Sequence, residues 1–114
     1  MGGRPPLLLD PSIVARRASR DDEVADLIVL LMDHADAGAG PYEECLVFAE
    51  TVAIACLGDN HLWQDLQLRS RDELSGLMRR WFPALVAKNH ADMKWKKFLY
   101  RLLCEREQIL ICKA

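Results

Sequence analysis

Residues Met93–Ala114 read MKWKKFLYRLLCEREQILICKA, and the spacing of their apolar side chains decides the fold class. On a helical wheel Trp95, Phe98, Leu99, Leu102 and Leu103 gather on one side, a stripe wide enough to be buried against a core. Lys94, Lys97 and Arg101 lie on another side, and Glu105 follows Arg101 by four residues, the spacing of a helical ion pair. Cys104 falls nearly opposite the apolar centre, close to Lys97 and Tyr100. Asp92 is placed to cap the start of this helix. Beyond Glu107 the run Ile109, Leu110, Ile111 lacks polar alternation and reads as a final helical turn or an extended exit.

Upstream the same periodicity recurs. Ser70 and Glu73 form a capping box that opens a helix through Leu74, Leu77, Met78, Trp81 and Phe82. Pro83 ends that helix or starts the next one as its first residue, the helical position that tolerates proline. Asn89 and His90 mark the following break. Before Ser70, the segment 58–68 (GDNHLWQDLQL) is long enough only for a turn or a brief helix. A helix from about Tyr42 to Leu57, stopped by Gly58, carries Cys45, Ala49, Val52 and Cys56 on one face, small side chains that admit close approach of another helix. An earlier helix is signalled by Ser19 and Asp22 as a weak capping box, by the acids Asp21, Asp22 and Glu23 near the positive end of the dipole, and by Val24, Leu27, Ile28, Leu31 and Ala35 at helical spacing. It ends before Gly38, Gly40 and Pro41. Residues 1–20, with Pro5, Pro6, Pro11 and four arginines, show no sustained period and read as a loosely ordered lead-in with one short turn at Ile13–Ala18. The expectation is an all-α protein, a single small domain of about five helices around one core, with residues 1–20 as lead-in and 21–114 as the helical domain.

A chain of 114 residues, 51% apolar and 28% charged, is long enough to bury one core and far from the composition of disorder. Its formal net charge of −2 argues against a general nucleic-acid binder. The cleanest apolar run, Leu27–Met32, is far short of the ~20 residues a membrane span needs, and Leu7–Leu9 between prolines and Asp10 is too short for a signal peptide. A cytoplasmic protein with reduced thiols is expected. The sequence contains no G-x-S-x-G, P-loop or dinucleotide glycine fingerprint, so an enzyme is not indicated.

Four cysteines raise a metal hypothesis that spacing can test. Cys45 and Cys56 share a helix face but stand eleven residues apart, about 16 Å along the axis, beyond the reach of one mononuclear site. They read as buried small hydrophobes. Cys104 and Cys112 meet at one cluster only if the chain turns after Glu107. His61 and Asp65, four apart, either share a ligand face on a helix or belong to a plain polar turn beside Trp63. His34 and His90, each near a helix end, read as capping or surface residues. The basic group Lys94, Lys96, Lys97, Arg101 and Arg106 is either a solvated face or a docking patch for an acidic partner or an oxyanion.

Three segments, GDNHLWQDL (58–66), RWFPAL (80–85) and MKWKKFLYRLLCEREQILICKA (93–114), resemble the NifQ family of nitrogen-fixation proteins. The resemblance runs from about Val47 to Ala114. It implies a protein that supplies molybdenum, through an iron-sulfur type cluster, for the iron-molybdenum cofactor of nitrogenase, with cofactor-assembly proteins as partners and molybdate as a candidate ligand. The family carries a C-terminal cluster of the form Cys-x4-Cys-x2-Cys-x5-Cys, thiolates suited to such a metal centre. Cys112 stands where the first of these falls, and the other three have no counterpart in this sequence. The resemblance therefore implies either a domain cut short at its C-terminus or a degenerate copy, retaining the helical scaffold and one metal ligand, Cys112, and not binding the cluster in the family manner. The alternative is a metal-free helical protein-interaction module.

Overall fold

The computed structural model describes residues 9–107, whose regular structure is all helix joined by turns and short loops, with no strand among them. In chain order the helices are α1 (Pro11–Ala15), α2 (Asp21–Met32), α3 (Tyr42–Ala55), α4 (Leu62–Asp65), α5 (Arg71–Trp81), α6 (Pro83–Lys88) and α7 (Trp95–Glu107), with a 3-10 turn at Arg16–Ser19 between α1 and α2. The all-α expectation holds. The long helices α2, α3, α5 and α7 lie where periodicity placed them, and α1, α4 and α6 are short connectors.

The core is continuous. Val24, Leu27 and Leu31 of α2, Ala49 and Val52 of α3, Leu74 and Met78 of α5, Phe82, Leu85 and Leu99 are all fully buried. Helices α2 and α3 form the most extensive pair, and the small residues of α3 explain it. Cys45, Ala49, Val52 and Cys56 are buried as their spacing predicts, and Cys45 Sγ lies 3.8 Å from Met32 Sδ on the facing helix. The last helix packs on α2 with Trp95, Phe98, Leu99 and Leu103 buried, and Leu102 half-buried. Two polar ties fix that packing: the Tyr100 hydroxyl donates to the Glu23 carboxylate, and Arg106 pairs with Asp33.

Several local expectations are corrected. Residues 11–19 are helical rather than loose. Asp10 caps α1 by accepting from the Ser12 amide at 2.9 Å, Pro11 occupies the first turn, and Ile13 is buried as an anchor. Arg16 then donates to the Leu57 carbonyl at 2.8 Å and grips Asp59 through two bonds of 2.9 Å. Ser19 does not cap α2, because its hydroxyl donates back to the Arg16 carbonyl; the N-cap is Arg20, whose guanidinium pairs with Glu23. Asp92 does not cap α7 either. It adopts a left-handed conformation (φ 53°) and pairs with Arg71, while the Asn89 side chain clamps Met93 by accepting from its amide and donating to its carbonyl. The Ser70 cap is present, its hydroxyl accepting from the Glu73 amide at 3.2 Å, and Pro83 opens α6.

No helix among the described residues is long and apolar enough to cross a membrane.

Candidate functional site

The segment 58–66 is held by a buried charge. After α3 the chain turns through Leu57 and Gly58, His61 takes an extended conformation as N-cap of α4, and its amide donates to Gln64 Oε1 at 3.0 Å. The short helix carries Leu62 and Leu66 into the core and turns Asp65 inward, so that Asp65 is only 5% exposed. Its carboxylate accepts from the Asn60 amide (3.2 Å), from Asn60 Nδ2 (3.3 Å) and from Lys96 Nζ (2.5 Å). Lys96 also donates to the Gly58 carbonyl at 2.8 Å. Gly58 itself admits no side chain, since a Cβ there would fall 2.3 Å from the Asp65 carboxylate. The loop is thereby fastened to the first turn of α7.

This pairing divides the basic group. Lys96 is drawn into the protein, Arg101 pairs with Glu105 at 3.3 Å, and Arg106 pairs with Asp33. Lys94 and Lys97 remain exposed and form no ion pair among the described residues. Both open onto a cleft of about 580 Å³ between the 60–63 segment and residues 92–97. Leu62, Trp63 and Trp95 give the cleft a largely apolar lining. At its edge Arg71 pairs with Asp92, donates to the Met93 carbonyl at 2.9 Å, and lies 5.9 Å from the Trp95 ring. The two stretches that carry the resemblance most densely, 58–66 and the start of 93–114, thus form opposite walls of one cleft.

The candidate ligands are not gathered. His61 lines the cleft, whereas the Asp65 carboxylate is taken up by Lys96 and Asn60, so the two do not make a shared ligand face. His34 packs at the end of α2 with Nδ1 at 2.8 Å from the Leu30 carbonyl and Nε2 at 2.9 Å from Lys88 Nζ. With Nδ1 donating, Nε2 is the acceptor for the ammonium. His90 is exposed. Among the described residues no three His, Cys, Asp or Glu side chains stand together as a metal site. Cys45 and Cys56 are free thiols inside the core, and Cys104, half-buried on α7, is disulfide-bonded where a thiol was expected. Cys112 lies outside the described residues. The buried Asp65–Lys96 pair is the functional-region feature that sequence reasoning missed, because charge patterning along one helix does not reveal a partner 31 residues away.

Cys56 sits close to this pair and to Glu23 and Arg20, and burial pushes its thiol up to about 12. In the unfolded chain the thiol ionises near its ordinary value, about 8.5. The folded state thus keeps a proton that the unfolded state loses. The stabilisation is present in full below that value and is lost as pH rises towards about 12. Denaturant midpoints should fall steeply between these limits, and Cys56→Ala should flatten the fall. Tyr100, raised by burial and by its bond to Glu23, contributes to the same slope, so the variant comparison isolates the thiol.

The fold and cleft define a small all-helical protein with a cationic, aromatic-lined recess and a buried ion pair behind it. A family model described as NifQ matches residues 7–114. The Protein NifQ of Azotobacter vinelandii is 45% identical over 95 residues, which cover 83% of this chain and 47% of that protein. The Protein NifQ homolog of Sinorhizobium fredii (strain NBRC 101917 / NGR234) is 44% identical over 92 residues (81% and 39%), and the Protein NifQ of Klebsiella pneumoniae 42% over 98 residues (85% and 55%). The chain belongs to the NifQ family of nitrogen-fixation proteins. It spans about half the length, or less, of these curated relatives. No solved structure gives a significant match.

Proposed function

We propose that this chain is the helical scaffold of a NifQ-type molybdenum donor, a non-enzymatic cytoplasmic protein that passes molybdenum, carried on an iron-sulfur type cluster, towards the iron-molybdenum cofactor of nitrogenase. Family membership over residues 7–114 is the observation that supports this reading. The described residues do not themselves fit such a cluster. Cys45 in α3 and Cys56 at its C-cap are buried 11 positions apart, and burial raises both thiols, which disfavours the thiolate a cluster requires. The proposed ligand is Cys112, at the first position of the family's cysteine pattern, and the cargo is bound only where the remaining cysteines follow. Assembly proteins or molybdate would meet the basic face of α7.

The test is metal analysis of two proteins purified without oxygen and with thiol reductant: this chain, and a version extended through three further cysteines at the family spacing. The extended protein should carry iron and molybdenum, and this chain should carry far less. An extended protein with neither metal sinks the proposal. A second reading, a metal-free interaction module, draws support from the cleft, whose exposed cations and apolar lining suit a partner surface.

A further inference from the structure

We propose that the cleft between residues 60–63 and 92–97 docks an acidic segment of a partner protein that inserts an apolar side chain. Two observations select this occupant. The first is the lining. Half-buried Trp63, over the buried edges of Leu62 and Trp95, gives a mostly apolar lining to a recess of about 580 Å³, within the ~300–1,000 Å³ typical of sites that bury a side chain or small ligand. A bare tetrahedral oxyanion would leave most of that space and all of that surface unused. An inserted leucine or phenylalanine gains from both, and indole rings suit such anchors.

The second is the charge that remains after internal pairing. Arg71 is matched by Asp92 and Lys96 by Asp65, which leaves the ammonium groups of Lys94 and Lys97 on one rim. The chain as a whole is formally −2, so this excess of positive charge is local. Rim charges of this kind act on recognition and encounter with a partner of opposite sign. The backbone that carries the lysines is anchored because Lys96, between them in sequence, ties the first turn of α7 to Gly58 and Asp65. The inference stands apart from the metal reading, which is tested by iron and molybdenum content and not by binding to this cleft.

The probe is an acetylated peptide of Glu and Asp around a central Leu-Phe pair, added to the full chain. Binding is followed by NMR at the Trp63 and Trp95 indoles and at the Lys94 and Lys97 amides. Saturable shifts confined to these groups are expected, weakening with added salt as exposed charges are screened. The double variant K94E/K97E should weaken binding by about tenfold or more. Arg79→Glu, which reverses an exposed cation outside the cleft, should leave it unchanged. Replacing the Leu-Phe pair with Ala-Ala, or the acids with Lys, should abolish binding. The proposal is overturned by no saturable shift at millimolar peptide, by equal binding of the Ala-Ala peptide, by equal losses in Arg79→Glu and K94E/K97E, or by sodium molybdate shifting these groups where the peptide does not.

Discussion

Lys96→Ala should lower the stability of the chain by about 3–5 kcal/mol, the cost typical of removing one member of a buried ion pair. The Asp65 side chain is 3% exposed and that of Lys96 19%, so removing the ammonium leaves a buried carboxylate without its counter-charge. Asn60 still supplies two donors, but these satisfy hydrogen bonding rather than charge. Since a domain of this size is stable by only about 5–15 kcal/mol, the variant should shift the urea midpoint far to lower concentration. The double variant Lys96→Met/Asp65→Leu provides the control. It removes both charges while retaining volume, and its loss should be well below that of Lys96→Ala, because an apolar pair often replaces a buried ion pair at little cost. A Lys96→Ala midpoint within experimental error of the parent would mean that water reaches Asp65 and that the pair does not anchor the cleft. The geometry around Gly58 argues otherwise, since the carboxylate fills the space where a side chain at position 58 would stand.

That pair also shows where sequence reasoning stopped. Periodicity located α2, α3, α5 and α7 because each buries an apolar stripe, and the stripe is written in the spacing of Leu, Val and Trp. Termini were less legible. Ser70 announces α5 because its hydroxyl meets the Glu73 amide within one turn, a purely local event. Ser19 carries a similar signal, but Arg20 and Glu23 pair across the same turn and the serine bonds backwards instead. The order of residues 11–19 was missed for a related reason: Ile13 and Arg16 gain their partners from α3 and the loop after it, contacts more than 40 residues away for Arg16. Of the candidate site, the aromatic and basic residues were visible in the sequence, and the stretches that form its walls were singled out by resemblance. Their meeting across the cleft was not visible, nor was the sorting of five cations into three paired and two that form no ion pair among the described residues. Long-range pairing is a property of the fold, and no local pattern encodes it.

Phe82→Ala should cost a further amount of the same order, about 3–5 kcal/mol, by a different mechanism. Phe82 is fully buried at the joint between α5 and α6, and its ring stacks on Phe48 of α3 with centroids 5.8 Å apart. The residue cannot be drawn into either helix to close the space: it has φ −133° and ψ 59°, and Pro83 follows it as the first residue of α6. The backbone on both sides is also occupied. The Phe82 amide donates to Met78 at 2.8 Å, and its carbonyl accepts from Leu85 and Val86. A cavity opened here can collapse only by moving α5, α6 or α3, and interiors packed to crystalline density relax little. Phe82→Leu, which keeps much of the volume, should recover most of the loss, as size-conserving swaps are best tolerated. Phe82→Ala should leave the Lys94 and Lys97 rim in place while the chain stays folded, since neither lysine touches this joint. Thermal or urea unfolding checks the stability change. A loss below about 1 kcal/mol would show that the α5–α6 joint repacks freely, contrary to the stacking and hydrogen bonds that hold it.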